Sequence, residues 1–106
     1  MILFNLLTLR ADHALAVTEL VLRERFAHDA FVDEAIATYH LDVATDTLIN
    51  RPLYRVLFLT KAMLYRDLEQ RLATAFPDHD FRYYATAITQ VDEREANRIR
   101  LLVRAV

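Results

Sequence analysis

The stretch from Leu53 to Thr60, Leu-Tyr-Arg-Val-Leu-Phe-Leu-Thr, constrains the fold most strongly, because every position from Val56 to Leu59 is apolar. Successive side chains of a β-strand point to opposite faces of the sheet. Val56 and Phe58 therefore point to one face, and the leucine that follows each of them points to the other. A strand that is apolar on both faces is typical of the centre of a sheet. The rest of the chain must then supply a cover for each face.

Composition limits the classes of site that the chain can contain. Its 106 residues predict one domain, residues 1–106. The absence of cysteine excludes disulfides, thiolate catalysis and Cys-based metal sites. The absence of glycine excludes the Gly-rich phosphate loops of the P-loop and dinucleotide motifs. With 13 basic and 15 acidic residues, the net charge of -2 argues against a nucleic-acid partner.

The apolar N-terminal stretch Met1–Leu9 must be compared with a signal peptide. It has no basic residues before its apolar run and no small-residue cleavage site, and Arg10 and Asp12 follow at once. No apolar run approaches the roughly 18 residues that a membrane helix needs. We therefore expect a soluble, cytoplasmic protein with no membrane partner.

Hydrophobic periodicity predicts an ordered series of strands and helices. The predicted segments are strand Met1–Leu9, helix Ala14–Phe26 with Asp12 as its N-cap, strand Phe31–Leu41, a hairpin tip at Asp42–Asp46, strand Leu53–Thr60 after a return through Pro52, helix Lys61–Ala75, strand Phe81–Val91, and a C-terminal helix capped by Asp92. This order predicts an α+β, ferredoxin-like βαββαβ fold with an antiparallel sheet, an extended central hairpin and an extra C-terminal helix. The first and third strands, which are the most apolar, occupy the centre of such a sheet.

The predicted helices are too few to cover both faces of the sheet. The two main helices of a ferredoxin-like fold lie on one face, and the short third helix cannot cover the other. Met1–Leu9 is nevertheless apolar on both faces, and soluble monomers rarely expose a large apolar patch. We therefore predict that other subunits cover the second face.

Five stretches resemble the CutA family of small trimeric proteins, within the broader PII-like group. Arg23–Ala27 resembles the family's Glu-Arg-Leu-Ala stretch, and Tyr54–Leu59 is similar to its third strand. Thr60-Lys61 stands where the family has Lys-Thr, and Phe76-Pro77 where it has the His-Pro that ends the second helix. Asp92 and the helix after it resemble the C-terminal helix of the family.

The resemblance implies a homotrimer whose central hairpins embrace neighbouring subunits and whose sheets face inward. The family is associated with divalent-cation tolerance and copper binding. Its Cys after the first helix and its Trp in the hairpin are absent here, and the His and Tyr of its His-Pro-Tyr motif are Phe76 and Asp78. The family's usual ligand residues are therefore missing, so its metal-binding role does not carry over through them.

Asp78-His79-Asp80 is the densest group of metal-ligand residue types in the sequence. We identify no cofactor, and these three residues are the weak candidates for a divalent metal, although such residues also form ordinary turns. His28-Asp29 is a similar candidate, in which Asp29 is also a typical turn residue. His40, in the hairpin, is expected at a subunit contact, and His13 is expected to be solvated.

Two further functions remain alternatives to a non-enzymatic trimeric binding or regulatory protein. One is a dimeric α+β barrel enzyme of the cofactor-free monooxygenase type, which also hides one sheet face against a partner. It would need a polar residue in a cavity between sheet and helices, whereas the predicted core is aliphatic. The other is a pure scaffold.

Tyr83-Tyr84 could stack on a ligand, but aromatic residues are more often part of a sheet face or an interface.

Overall fold

The computed structural model describes residues 1–106 and contains four strands and three helices. The elements are β1 (Ile2–Thr8), α1 (Ala11–Arg23), β2 (Phe31–Asp42), β3 (Thr47–Thr60), a 3-10 turn (Ala62–Leu64), α2 (Tyr65–Ala75), β4 (Arg82–Ala87) and α3 (Glu93–Leu102). The strands form one antiparallel sheet in the order β2-β3-β1-β4. This order confirms the ferredoxin-like fold and places β1 and β3 at the centre, as predicted.

Helix α1 begins and ends three residues earlier than the predicted Ala14–Phe26. Arg10, in an extended conformation, is its N-cap, so the prediction of Asp12 in that role is wrong. Asp12 lies in the first turn and accepts a 2.7 Å contact from the Arg10 guanidinium. The helix ends early because Arg25 adopts the left-handed conformation, at φ 61°. Phe26 instead enters the core from the loop that follows.

Strand β4 ends at Ala87, four residues before the predicted end at Val91. Its last paired residue faces Ile2, at the start of β1, and beyond it only the Ile88 amide still bonds to β1's side of the sheet, through the Met1 carbonyl at 3.1 Å. Helix α2 also differs from the prediction, because its first turn, Ala62–Leu64, is a 3-10 turn. Asp92 caps α3 as predicted, its carboxylate accepting a 2.9 Å hydrogen bond from the Glu95 amide.

Strands β2 and β3 form the long hairpin that the sequence predicts, but β3 begins at Thr47, six residues before the predicted Leu53. Four residues, Val43–Asp46, connect them, and Asp46 adopts φ 52° at the tip. A second left-handed residue, Ala35, lies where the β2–β3 register shifts, and it produces a bulge. Pro52 lies within β3, opposite Ala37, beyond the last residue of β3 that pairs with β1. A proline is tolerated there because only one neighbouring strand requires backbone hydrogen bonds.

The core lies between the helices and one face of the sheet, which we call the inner face. Phe4 of β1 stacks on Phe58 of β3, with ring centroids 5.2 Å apart, and on Tyr83 of β4 at 5.5 Å. Residues from all three helices complete the same cluster. The Tyr83 hydroxyl donates a 2.9 Å hydrogen bond to Glu69 at the margin of the core. Burial and this carboxylate raise the pKa of Tyr83 to about 12.

The opposite, outer face of the sheet has no helix of the chain packed into it. Leu3, Leu7 and Leu57, which point to this face, are only partly buried and lie outside the core cluster. Tyr84, the partner of Asn5 on this face, is 52% exposed. The chain therefore covers one face of its sheet, as the number of helices predicts.

None of the three helices has the length and apolar character needed to cross a membrane.

The first prediction concerns the buried stack. Phe58 is fully buried, so Phe58→Asp would place an unpaired charge in the core, and we expect that protein not to fold or assemble. Phe58→Ala should lower the free energy of unfolding by about 3–5 kcal/mol through loss of the ring and formation of a cavity. Chemical denaturation monitored by circular dichroism measures both effects.

Leu15→Asp is the control, because Leu15 is 63% exposed on α1. It should change the free energy of unfolding by no more than about 0.5 kcal/mol. A soluble, normally assembled Phe58→Asp protein would refute the assignment of β3 as a central, buried strand.

Candidate functional site

Three side chains that could bind a metal ion meet between the loop after α1 and the first turn of α3. The Nε2 atom of His28 lies 2.5 Å from a carboxylate oxygen of Glu95. Its Nδ1 atom lies 3.7 Å from a carboxylate oxygen of Asp29. One potential ligand atom from each residue falls within 4.8 Å of the others. We call this group of His28, Asp29 and Glu95 the His28 centre.

The loop after α1 is held against α3 at both ends of that helix. At its C-terminal end, the Arg25 guanidinium donates hydrogen bonds to the carbonyls of Leu101 and Leu102, and Arg25 accepts a 2.7 Å bond from the Arg104 amide. Lys61 donates to two further carbonyls there, which satisfies backbone groups that a helix end leaves without partners. At the N-terminal end, the Asp92 cap fixes the turn that carries Glu95.

The His28 centre is partly shielded from solvent. The side chain of His28 is 11% exposed and that of Glu95 is 18% exposed, whereas Asp29 is open to solvent at 54%. The hydrogen bond from His28 is the main cause that lowers the pKa of Glu95, and a 3.1 Å contact from Arg98 adds to it. Glu95 therefore remains ionised, which is the form in which a carboxylate binds a cation.

The His28 centre contains residue types that bind divalent transition metals, with Glu95 beside Nε2 of the imidazole and Asp29 beside Nδ1. One imidazole nitrogen and two carboxylate oxygens are ligands that zinc and copper accept. Bonds of about 2.0–2.1 Å in a tetrahedral arrangement place ligand atoms about 3.3 Å apart. The His28 and Glu95 atoms, now 2.5 Å apart, would have to separate by less than about 1 Å to admit an ion. In the absence of an ion, the contact between His28 and Glu95 forms a hydrogen-bonded latch between the loop and the helix.

The predicted cluster Asp78-His79-Asp80 lies elsewhere, in the turn before β4, and its side chains have other partners. The Asp80 carboxylate accepts hydrogen bonds from the Thr8 hydroxyl and the Leu9 amide. His79 stacks on Phe81 and its Nδ1 atom accepts the Phe81 amide proton. Asp78 is exposed. These residues fix the turn to the end of β1, and a metal there stays a prediction.

The structure also shows the surroundings of His13, the Tyr83-Tyr84 pair and His40. His13 is not solvated as expected, because its ring packs edge-on against Phe76 and Phe81 and its Nδ1 atom is buried without a partner. Tyr83 and Tyr84 point to opposite faces of the sheet, so they do not form one stacking patch. His40 lies exposed on the hairpin.

Sequence reasoning included His28 and Asp29 but missed Glu95 as their partner. Glu95 lies in the first turn of α3, where the helix dipole alone is enough to favour an acidic residue. It lies 67 residues from His28, and only the docking of α3 against the loop brings the two together. The predicted Asp92 cap was the one signal that fixed the position of Glu95 within its helix.

Comparison with solved structures identifies the fold. The divalent cation tolerance protein CutA1 from Thermus thermophilus is similar with a TM-score of 0.81 and 12% identity, over 98% of this chain and 100% of that one. CutA1 from Oryza sativa gives 0.82 and 10% identity, over 99% and 94%. A periplasmic divalent cation tolerance protein, CutA from Archaeoglobus fulgidus, gives 0.79 and 10% identity, over 98% and 100%. The chain therefore has the fold of the CutA1 proteins over nearly its whole length.

No protein-family model matches the sequence. No curated protein matches it either. The similarity therefore lies in the fold, whereas the sequence has diverged from the CutA1 proteins.

The second prediction concerns the pH dependence of stability. Because the folded state lowers the pKa of Glu95 below its unfolded value of about 4.3, the ionised carboxylate stabilises the fold above that pH. This stabilisation is lost as the pH falls through the lowered pKa. We expect the difference in unfolding free energy between wild type and Glu95→Gln to be present above about pH 5 and to shrink toward about pH 3.

Glu93→Gln is the matched control, because Glu93 lies exposed in the same turn and makes no ion pair. Urea denaturation across that pH range measures both variants. A pH-independent effect of Glu95→Gln, or an equal pH-dependent effect of Glu93→Gln, would contradict the assignment of the latch.

Proposed function

We propose that this chain is a divergent, non-enzymatic relative of the divalent cation tolerance proteins, which assembles as a homotrimer and binds a divalent transition metal. The observation that carries the proposal is the similarity of fold, because it extends over 98% of this chain and 100% of the Thermus thermophilus protein, whose name states the cation role. A cytoplasmic location is part of the proposal.

The His28 centre supplies a cation site that does not depend on the family's usual ligand residues. It joins a side chain that is mostly buried, His28, to two carboxylates. Asp29 is the exposed member and gives a metal ion a route from solvent. The centre also links the loop after α1 to α3, so bound metal would tie these two parts of the chain together.

The outer face and the hairpin support an assembled state. The outer face of the central strands carries Leu3, Leu7 and Leu57, none of which the chain's own core covers. The hairpin extends the molecule to 51 Å along its longest axis, against 29 and 21 Å along the others. Its exposed large apolar residues are Phe31, Val32, Tyr39, Leu41, Val43 and Leu48. Apolar surface of this extent favours contact with other subunits.

The third prediction tests the metal site. In calorimetric titrations with Zn²⁺ and with Cu²⁺, we expect saturable binding to the wild type, and a loss of at least about tenfold in affinity for His28→Gln. Affinity should also fall at acidic pH, because protons compete for the imidazole and the carboxylates. Circular dichroism of each variant checks that the fold is intact.

His79→Gln is the control for this experiment, and it tests the alternative cluster as well. We expect it to bind both metals like the wild type. Loss of binding in His79→Gln but not in His28→Gln would assign the site to Asp78-His79-Asp80 instead. Absence of binding to the wild type would overturn the cation proposal and favour the scaffold.

The fourth prediction tests the assembly. Light scattering at micromolar concentration should give the mass of three 12.4 kDa chains. Val43, at the hairpin tip, is 84% exposed in the single chain, and Leu48 is 71% exposed. The double variant Val43→Glu, Leu48→Glu should shift the mass toward a single chain if the hairpin embraces a neighbour.

Arg94→Glu, on the exposed side of α3, is the control and should leave the mass unchanged. A mass of two chains would contradict the trimer and favour the α+β barrel alternative. A single-chain mass for the wild type would refute assembly through the outer face.

A further inference from the structure

A cavity that contains two arginine residues opens on the outer face of the sheet, where β1 ends and the hairpin continues. Its volume is about 300 Å³, within the size range of small-molecule sites. Leu7 and Leu9 of β1 and Leu53 of β3 supply apolar walls. It shares no residue with the His28 centre.

Two guanidinium groups line this cavity. Arg82 of β4 lies opposite Leu7, and Arg51 of β3 lies opposite Thr38; all four residues line the cavity. Neither has a carboxylate within the 4.0 Å that defines an ion pair, and neither makes a side-chain hydrogen bond. His40, also in the lining, makes no hydrogen bond through its ring.

A third arginine of the outer face, Arg55, does contact a carboxylate of the chain. Arg55 lies on the other side of Leu7 from Arg82, and its guanidinium contacts Asp33 of β2 at 2.6 Å. The chain therefore supplies a carboxylate to the arginine outside the cavity and none to the two inside it. The cavity's own acid, Asp80, accepts bonds from Thr8 and Leu9, which commits its oxygens to the end of β1.

We propose that this cavity binds a small organic anion, in which a phosphate or carboxylate group is attached to an apolar or aromatic body. Arginine side chains bind both kinds of anionic group through paired N–H donors, and Arg51 and Arg82 supply two such forks. Leu7, Leu9 and Leu53 contact the apolar body. An inorganic anion alone would leave these apolar walls without contacts.

Calorimetric titration of the full-length protein with phenyl phosphate, benzoate and inorganic phosphate tests the proposal. We expect phenyl phosphate or benzoate to bind saturably, and inorganic phosphate to bind more weakly than phenyl phosphate. The comparison of the first two identifies the preferred anionic group. Arg51→Gln and Arg82→Gln should each weaken binding roughly ten- to a hundredfold, as expected for loss of a charge-assisted donor.

Arg94→Gln, an exposed arginine of α3, is the matched control and should bind like the wild type. Absence of saturable binding of both organic anions to the wild type, or unchanged affinity in both cavity variants, would overturn the proposal.

Light scattering on the same samples separates this proposal from the proposed assembly. If Arg51→Gln and Arg82→Gln dissociate the protein while the wild type binds neither organic anion, the two guanidinium groups contact a neighbouring chain's carboxylates, and the ligand proposal is wrong. Anion binding that depends on Arg51 and Arg82 supports the proposal whatever the number of chains or the outcome of metal titration, because every residue of the cavity comes from one chain.

Discussion

A sheet that is apolar on both faces but covered by helices on only one is the constraint on which the rest of this structure depends. The inner face is fixed by the stack of Phe4, Phe58 and Tyr83 across three adjacent strands, and all three helices pack onto that side. The outer face is left with leucines, one pair of bonded charges and the open cavity. The two proposals about this face, a neighbouring chain and an anionic ligand, both follow from what the helices leave uncovered.

The lack of glycine affects where the chain can turn and, through one turn, how the His28 centre forms. Three non-glycine residues adopt positive φ, and aspartate at the hairpin tip is among the residues that tolerate it best. Arg25 is less suited to that conformation, but its side chain and carbonyl are bonded to the end of α3. The turn at Arg25 therefore ends α1 early and sets the loop against α3, which is the arrangement that places His28 beside Glu95.

Much of the fold could be predicted because its signals are local. The apolar runs at Met1–Leu9 and Leu53–Thr60 predicted the two central strands, and Asp92 predicted the start of α3. The ends of helices and strands were predicted less accurately. The end of β4, for example, depends on where β1 begins and not on the residues of β4 itself. The sites were hardest to predict. The contact of His28 with Glu95, and the cavity that both Arg51 and Arg82 line, depend on packing between parts of the chain that are far apart in sequence.

The near-neutral composition illustrates why the sites could not be read from charge totals. A net charge of -2, with both signs mixed along the chain, argues only against an extended basic face of the kind that nucleic acid binds. Folding nevertheless separates the signs locally: Asp29 and Glu95 converge on His28, whereas Arg51 and Arg82 converge on the outer cavity. A cation and an anion would each find a region of opposite charge on different parts of one small chain. Mixed charge along a sequence therefore disfavours an extended charged surface, but it leaves small sites of either sign open.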